Sequence, residues 1–174
     1  MNDQFEIIQA NLSHVDFLSE FGKESFIDAY KVTLPMEELR TYVEEAFSKE
    51  LIQHEIESSE ALYLLCKNEM SELCGYAKYV NSETPDFIAH DGTIELQRLY
   101  VSDKFRGKGI GRLLSEYGES ISQQKGFKIL WLRVWDGNSA AQKVYLKWGY
   151  SFCSEEAYKV GKEERKVLIM MKHI

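Results

Sequence analysis

The chain has 174 residues, of which 44% are hydrophobic and 28% charged, and its net charge is −7. This composition fits one soluble globular domain around one core and leaves no compositional case for disorder. Met1 is followed by Asn2-Asp3-Gln4-Phe5-Glu6, with no basic segment leading into an apolar one, and no stretch approaches the roughly 18 apolar residues of a membrane span. A cytoplasmic protein without a membrane partner is expected.

Cys66, Cys74 and Cys153 have no CxxC spacing and read as free thiols; His14, His54, His90 and His173 fall in no HxxxH arrangement, so no metal is expected. The charge is unevenly spread. Residues 1–60 hold 14 acidic and 4 basic side chains, whereas residues 61–174 hold 14 acidic and 17 basic. Such a chain could hold a polyanion with its later part and meet a cation with its first, although solvated helix faces also produce acidic runs.

In chain order, Phe5 to Gln9 reads as a short strand, and His14 to Tyr30 places Val15, Leu18, Phe21, Phe26 and Ala29 near helical spacing. Pro35 starts a second helix, with Glu37 and Glu38 in its first turn and Met36, Leu39, Val43, Ala46 and Phe47 as its buried stripe. A further helical turn or two runs from Ser48 to Glu57. Ala61–Cys66 and Leu73–Val80 read as a hairpin, Asn81 to Gly92 as a loop containing Pro85 and Asp91, and Thr93–Val101 as the next strand. Ile110, Leu113, Leu114, Tyr117 and Ile121 then mark an amphipathic helix ending near Gly126. Ile129–Trp135 is a buried strand, Ala140–Trp148 a second crossover helix, and Tyr150–Val160 with Arg165–Lys172 a closing hairpin. The order β-α-α-β-β-β-α-β-α-β-β predicts a mixed α/β sheet with helices on both faces and a parallel βαβ unit.

Within that unit a strand feeds Arg106-Gly107-Lys108-Gly109-Ile110-Gly111, which opens a helix. The first amides of a helix lack intrahelical acceptors, and the dipole adds positive potential, so this turn suits an anion. Lys104, Arg106, Lys108 and Arg112 surround it. No GxxxxGK[ST] run occurs, and counting GxGxxG from Gly107 puts Arg112 where the third glycine should stand, so neither nucleotide motif fits.

The six-residue run matches [QR]xxGx[GA] between strand and helix, and the chain here resembles the GNAT superfamily of acetyl-CoA-dependent N-acetyltransferases. Similar too are Ile94-Glu95-Leu96-Gln97-Arg98-Leu99-Tyr100-Val101 and the stretch from Asn138-Ser139-Ala140-Ala141 to Trp148-Gly149-Tyr150. The resemblance implies a mostly antiparallel sheet whose central parallel pair splays to admit acetyl-CoA. It implies cofactor contacts from Leu99, Tyr100, Val101, Arg106, Gly107, Lys108, Gly109, Ile110, Gly111 and Arg112. Asn138 matches a cofactor-contacting position and equally reads as a plain N-cap, and Lys147 either reaches the cofactor phosphates or covers the helix surface.

Tyr145 matches the tyrosine that protonates the departing thiolate, its alternative being a core-packing role. Strand alternation places Glu95 and Gln97 on the face of Leu99 and Val101, making Glu95 the candidate base through water, or else a carboxylate paired with a nearby cation. The region Glu24 to Tyr30, with Pro35–Leu39 and Tyr42–Phe47, looks like that of bacterial polyamine acetyltransferases of the spermidine/spermine type. Glu24, Asp28 and Tyr30 are then expected at the amine acceptor, which would attack the thioester directly in a ternary complex. Acetylation of a protein amine or an aminoglycoside, and a non-catalytic acetyl-CoA-binding regulatory domain, are the competing readings. Nucleic acid is not an expected partner, and a homodimer is left open.

Overall fold

The computed structural model describes residues 5–88 and 92–174; residues 1–4, and Ala89, His90 and Asp91 of the 81–92 loop, lie outside the described residues. Its elements are β1 (Phe5–Gln9), α1 (Val15–Tyr30), α2 (Met36–Ala46), α3 (Lys49–Ser58), β2 (Ala61–Asn68), β3 (Leu73–Val80) and β4 (Thr93–Val101), followed by α4 (Ile110–Gln124), β5 (Ile129–Trp135), α5 (Ser139–Lys147), β6 (Ser151–Val160) and β7 (Glu163–His173). The segment from Ser48 is a helix in its own right, so three helices rather than two separate β1 from β2. Ser48 caps it by accepting the Leu51 amide at 3.3 Å. Pro35 is the N-cap of α2 rather than its first residue, with φ −58° and ψ 138°.

The strands form one sheet in the order β1-β2-β3-β4-β5-β7-β6. Only β4 and β5 run parallel; the other neighbours are antiparallel. On one face α4 packs Ile110 and Leu114 against Leu64, Leu96, Leu130 and Leu132. Gly118 lets that helix lie close, because a Cβ there would sit 2.2 Å from the Tyr79 ring. On the other face α1 and α3 bury Leu18 and Ile52 against Tyr63, Leu65 and Tyr76. Each buried leucine or isoleucine contributes about 1.5–3 kcal/mol relative to exposure.

Two features of this frame matter for the site. First, β4 pairs with β5 only over Thr93–Glu95 against Ile129–Trp131; beyond that point β4 continues on β3 alone while β5 continues on β7. The central pair therefore splays. Second, the β3–β4 register passes from Lys78↔Arg98 to Tyr79↔Leu96, leaving Gln97 as an extra residue. This bulge corrects the expected alternation. Ile94, Leu96, Leu99 and Val101 all belong to the α4-side core, whereas Tyr100 packs against the clusters on the α1–α3 side. Glu95 is thus not on the face of Leu99 and Val101 but on the opposite one, because a bulge shifts the two-residue period by one.

Candidate active site

A cleft of about 750 Å³ opens where β4 and β5 part. Its walls combine Leu99, Tyr100 and Val101 of β4 with Val134 and Trp135 of β5, Asn138, Ala141 and Tyr145 of the α5 segment, and Tyr30 of α1. The Ser102 amide donates to the Cys74 carbonyl at 2.9 Å, which directs that amide and, two residues back, the Tyr100 amide toward β3. The amides and carbonyls of Leu99 and Val101 consequently face the gap, as unpaired sheet edges.

At one end of the cleft lies the glycine turn. Gly107 and Gly109 have φ of 77° and 83°, and a Cβ at either would meet nothing within 4 Å. The left-handed backbone suits glycine, and the space above it is the kind an anion bound to the loop amides would occupy. Ile110, 1% exposed, anchors the start of α4 in the core, so its contribution is its backbone. A Cβ on Gly111 would stand 3.5 Å from the Trp148 ring, an ordinary packing distance.

The basic side chains around this turn are tied to acidic neighbours. Arg106 pairs with Asp103 at 2.8 Å, Lys104 with Glu72 at 2.7 Å and Arg112 with Glu116 at 2.6 Å. Lys108 Nζ sits 5.7 Å from the Phe105 ring centroid. Arg106 lines the main cleft, while Arg112 and Lys147 line a separate groove between α4 and α5 with Trp148 and Lys172.

Asn138 is the N-cap of α5, its Oδ1 accepting the Ala141 amide at 3.1 Å, and the residue also lines the cleft. Tyr145 packs edge-on against Trp148 and Tyr150, with centroids 5.8 and 5.5 Å away. Burial, followed by the nearby Tyr30 phenol, pushes its pKa up to about 12. The phenol therefore keeps its proton at neutral pH.

A second, smaller cavity of about 150 Å³ adjoins the cleft through the shared residues Tyr30, Gln97, Arg98, Tyr100, Arg133 and Trp135. Glu95 is in its wall, 3% exposed, with Oε1 accepting from Arg133 Nη1 at 2.7 Å and Oε2 from Ser82 Oγ at 2.5 Å. Arg133 also donates through Nε to Glu156. Of the anticipated acceptor residues, Tyr30 lines both cavities and Asp28 stands exposed at the cleft rim, paired with Lys31 at 2.7 Å. Glu24 is exposed and lines neither.

Sequence reasoning passed over Arg98, Arg133, Trp135, Tyr42 and Tyr158. A signal existed for Arg133, the single charge in the buried run Ile129–Trp135, since unpaired charges are rarely placed in a core strand. Among the described residues no group of three or more His, Cys, Asp or Glu side chains could hold a metal ion, and no helix is long and apolar enough to cross a membrane.

A splayed parallel pair beside a glycine turn that opens a helix, with a protonated phenol lining the gap, is an arrangement suited to an extended, phosphate-bearing ligand. The Acetyltransferase (GNAT) family pattern matches residues 24–150, and the chain belongs to that family. It is an acetyl-CoA-dependent N-acetyltransferase. The sequence is 22% identical over 167 residues to an uncharacterized N-acetyltransferase of Lactobacillus delbrueckii subsp. lactis, covering 96% of each chain. It is 28% identical over 148 residues to a spermidine N(1)-acetyltransferase of Thermoplasma acidophilum, covering 83% of this chain and 87% of that one. Among solved structures, a PaiA N-acetyltransferase from Thermoplasma acidophilum in complex with coenzyme A superposes with a TM-score of 0.79 at 25% identity, over 98% of this chain and 99% of that chain.

Proposed function

We propose that the protein transfers the acetyl group of acetyl-CoA to a primary aliphatic amine by direct attack in a ternary complex, with a polyamine such as spermidine or spermine as the acceptor. The observation that carries this reading is the junction of the large cleft with the small pocket at Tyr30, Arg133 and Trp135, which lets a donor and an amine meet from opposite sides.

Acetyl-CoA supplies a thioester carbonyl. The loop amides at Gly107, Gly109 and Gly111 hold its phosphates, and the gap-facing amides of Leu99 and Val101 hold the pantetheine arm and polarise the carbonyl; a donor of that kind is worth about 10²–10³ in rate. The amine nitrogen forms the new C–N bond while the C–S bond breaks. Tyr145 gives its proton to the departing sulfur, and the second proton shed by the acylated nitrogen restores the phenol. An alkylamine has a pKa of about 10, so the nucleophile must first lose a proton. Glu95 takes it through water, using the carboxylate lone pairs that Arg133 and Ser82 leave open.

Three observations support a polyamine. The first 60 residues carry 14 acidic and only 4 basic side chains, which raises the local concentration of a polycation near α1 and α2. Relatives over most or part of the chain are named for spermidine or spermine acetylation. The small pocket, described further below, is built from aromatic rings. The test is thiol release from acetyl-CoA across spermidine, spermine, simple monoamines, amino acids, an aminoglycoside and a peptide N-terminus. Polyamines should lead, and their KM should climb with added salt, since such attraction is screened over about 8 Å at physiological ionic strength. Turnover of a peptide or an amino acid without turnover of spermidine would overturn the acceptor assignment.

A further inference from the structure

The small pocket beyond Tyr30 and Trp135 is formed mainly by rings. Phe26 stacks on Tyr42 with centroids 4.6 Å apart, Phe26 lies 4.6 Å from Tyr30, and Tyr30 lies 6.0 Å from Trp135. Tyr30 and Trp135 also line the large cleft, whereas Phe26, Tyr42 and Tyr158 line the small pocket alone, as do Glu95 and Val167, and so mark the part of it away from the cleft. There the Tyr42 and Tyr158 hydroxyls meet at 3.1 Å, joining α2 to β6. Burial raises the Tyr42 pKa, so this phenol remains neutral and presents lone pairs and a π face.

Most charges bordering the pocket are engaged, although Arg98 Nη1 is buried without a hydrogen-bond partner among the described residues. Arg133 is spent on Glu95 and Glu156. Arg98 stacks 3.8 Å over the Phe47 ring and donates through Nη2 to the Ala46 carbonyl at 2.8 Å. The helix carboxylates that dominate the first 60 residues are elsewhere: Asp16 pairs with Lys49, Glu44 with Lys23, and Asp28 with Lys31. The Tyr42 and Tyr158 rings of the pocket are neutral and electron-rich, in the same wall as the Glu95 carboxylate, and such rings bind ammonium groups through the ring quadrupole.

We propose that Phe26, Tyr42 and Tyr158 form an aromatic cage for the second, non-reacting ammonium of the acceptor, so that a slender diamine arm lies with one nitrogen at the cleft and the other among these rings. This rests on the amine-acetylating reading above and names what selects within it. Recognition is then by π faces, and the surface carboxylates affect only encounter.

The probes are 1,4-diaminobutane, pentylamine, in which a methyl replaces the distal ammonium, and 4-aminobutanoate, in which a carboxylate does. The quantity read is the ratio of kcat/KM for diamine over pentylamine. Wild type should favour the diamine, and Tyr42→Leu and, from a different element, Tyr158→Leu should each lower the ratio about thirtyfold, the size of a desolvated cation–π contact. Tyr42→Phe, which keeps the ring, should restore it. A ratio unchanged in both leucine variants overturns the cage while leaving polyamine acetylation standing. A wild-type preference for 4-aminobutanoate overturns both, and assigns the pocket to its two arginines instead.

Discussion

Arg133, two residues past the last rung that β4 and β5 share, donates through Nη1 to Glu95 Oε1 at 2.7 Å, and its Nε donates to Glu156 on β6. One guanidinium thus ties three strands where the sheet splits. Arg133→Met should destabilise the fold by about 3–5 kcal/mol, because Glu95 is left buried without its cation. Glu95→Gln should cost less, since the amide needs no counter-charge. Urea midpoints of the two variants give the comparison, and equal losses would mean that packing rather than charge dominates.

Tyr145→Phe should keep acetyl-CoA affinity and lower kcat by roughly 10²–10⁴, the range for loss of a general acid. Isothermal titration and steady-state rates separate the two effects. Because the phenol titrates only at about 12 in the folded state, any fall in rate between pH 8 and pH 10 belongs to another group. A folded pKa raised above the unfolded value of about 10 contributes stability that is full below pH 10 and disappears as the pH rises toward 12.

Acetyl-CoA at a hundredfold excess over its Kd should stabilise the protein by about 2.7 kcal/mol. Gly109→Ala forces a Cβ into a left-handed conformation at a cost of about 1–2 kcal/mol and fills the space above the turn. Thermal melts should show a lower starting Tm in that variant and a smaller shift on adding the cofactor. An undiminished shift would move the phosphates away from this loop.

Lys78 is buried beneath α3, its Nζ 2.6 Å from Glu55, and burial followed by the Arg98 charge pushes its pKa down to about 8. Between pH 8 and the unfolded value near 10.5 the unfolded chain binds the extra proton, so this group makes stability rise with pH over that window. The double variant Lys78→Met with Glu55→Leu should lose the rise and be close to wild type in stability at pH 7, as apolar replacements of buried pairs often are. Urea melts at pH 7.5 and pH 9.5 suffice.

The strand, turn and helix of the candidate cofactor half were legible because they are local. Strand, turn and helix follow one another from Thr93 to Gln124, and a glycine turn opening a helix carries its chemistry in consecutive amides. The acceptor half was not, because its pocket is assembled from α1, α2, β4, β5, β6 and β7, whose meeting no period reveals. The bulge at Gln97 has no glycine or proline to announce it, yet it turns Glu95 to the opposite face from Leu99. Glu24 could have been set aside from spacing alone. Leu18, Gly22 and Phe26 share the inward stripe of α1, and a residue two positions from both Gly22 and Phe26 points away from it.

The two cavities also draw on different stretches of the gene product. The cleft takes most of its wall from residues 97–148, inside the 24–150 span that the family shares, whereas Tyr158 and Val167 come from the β6–β7 hairpin beyond it. That hairpin is latched to the helices at separate points: Glu38 accepts the Lys162 amide at 2.8 Å, and Arg165 Nη2 donates to the Thr33 carbonyl at 2.7 Å. On the proposed reading, acceptor choice changes by exchanging the hairpin and the α1–α2 corner together, while the walls of the cleft are kept. Chimaeras that swap only one of the two partners would break the latch and report a folding defect before any change of specificity.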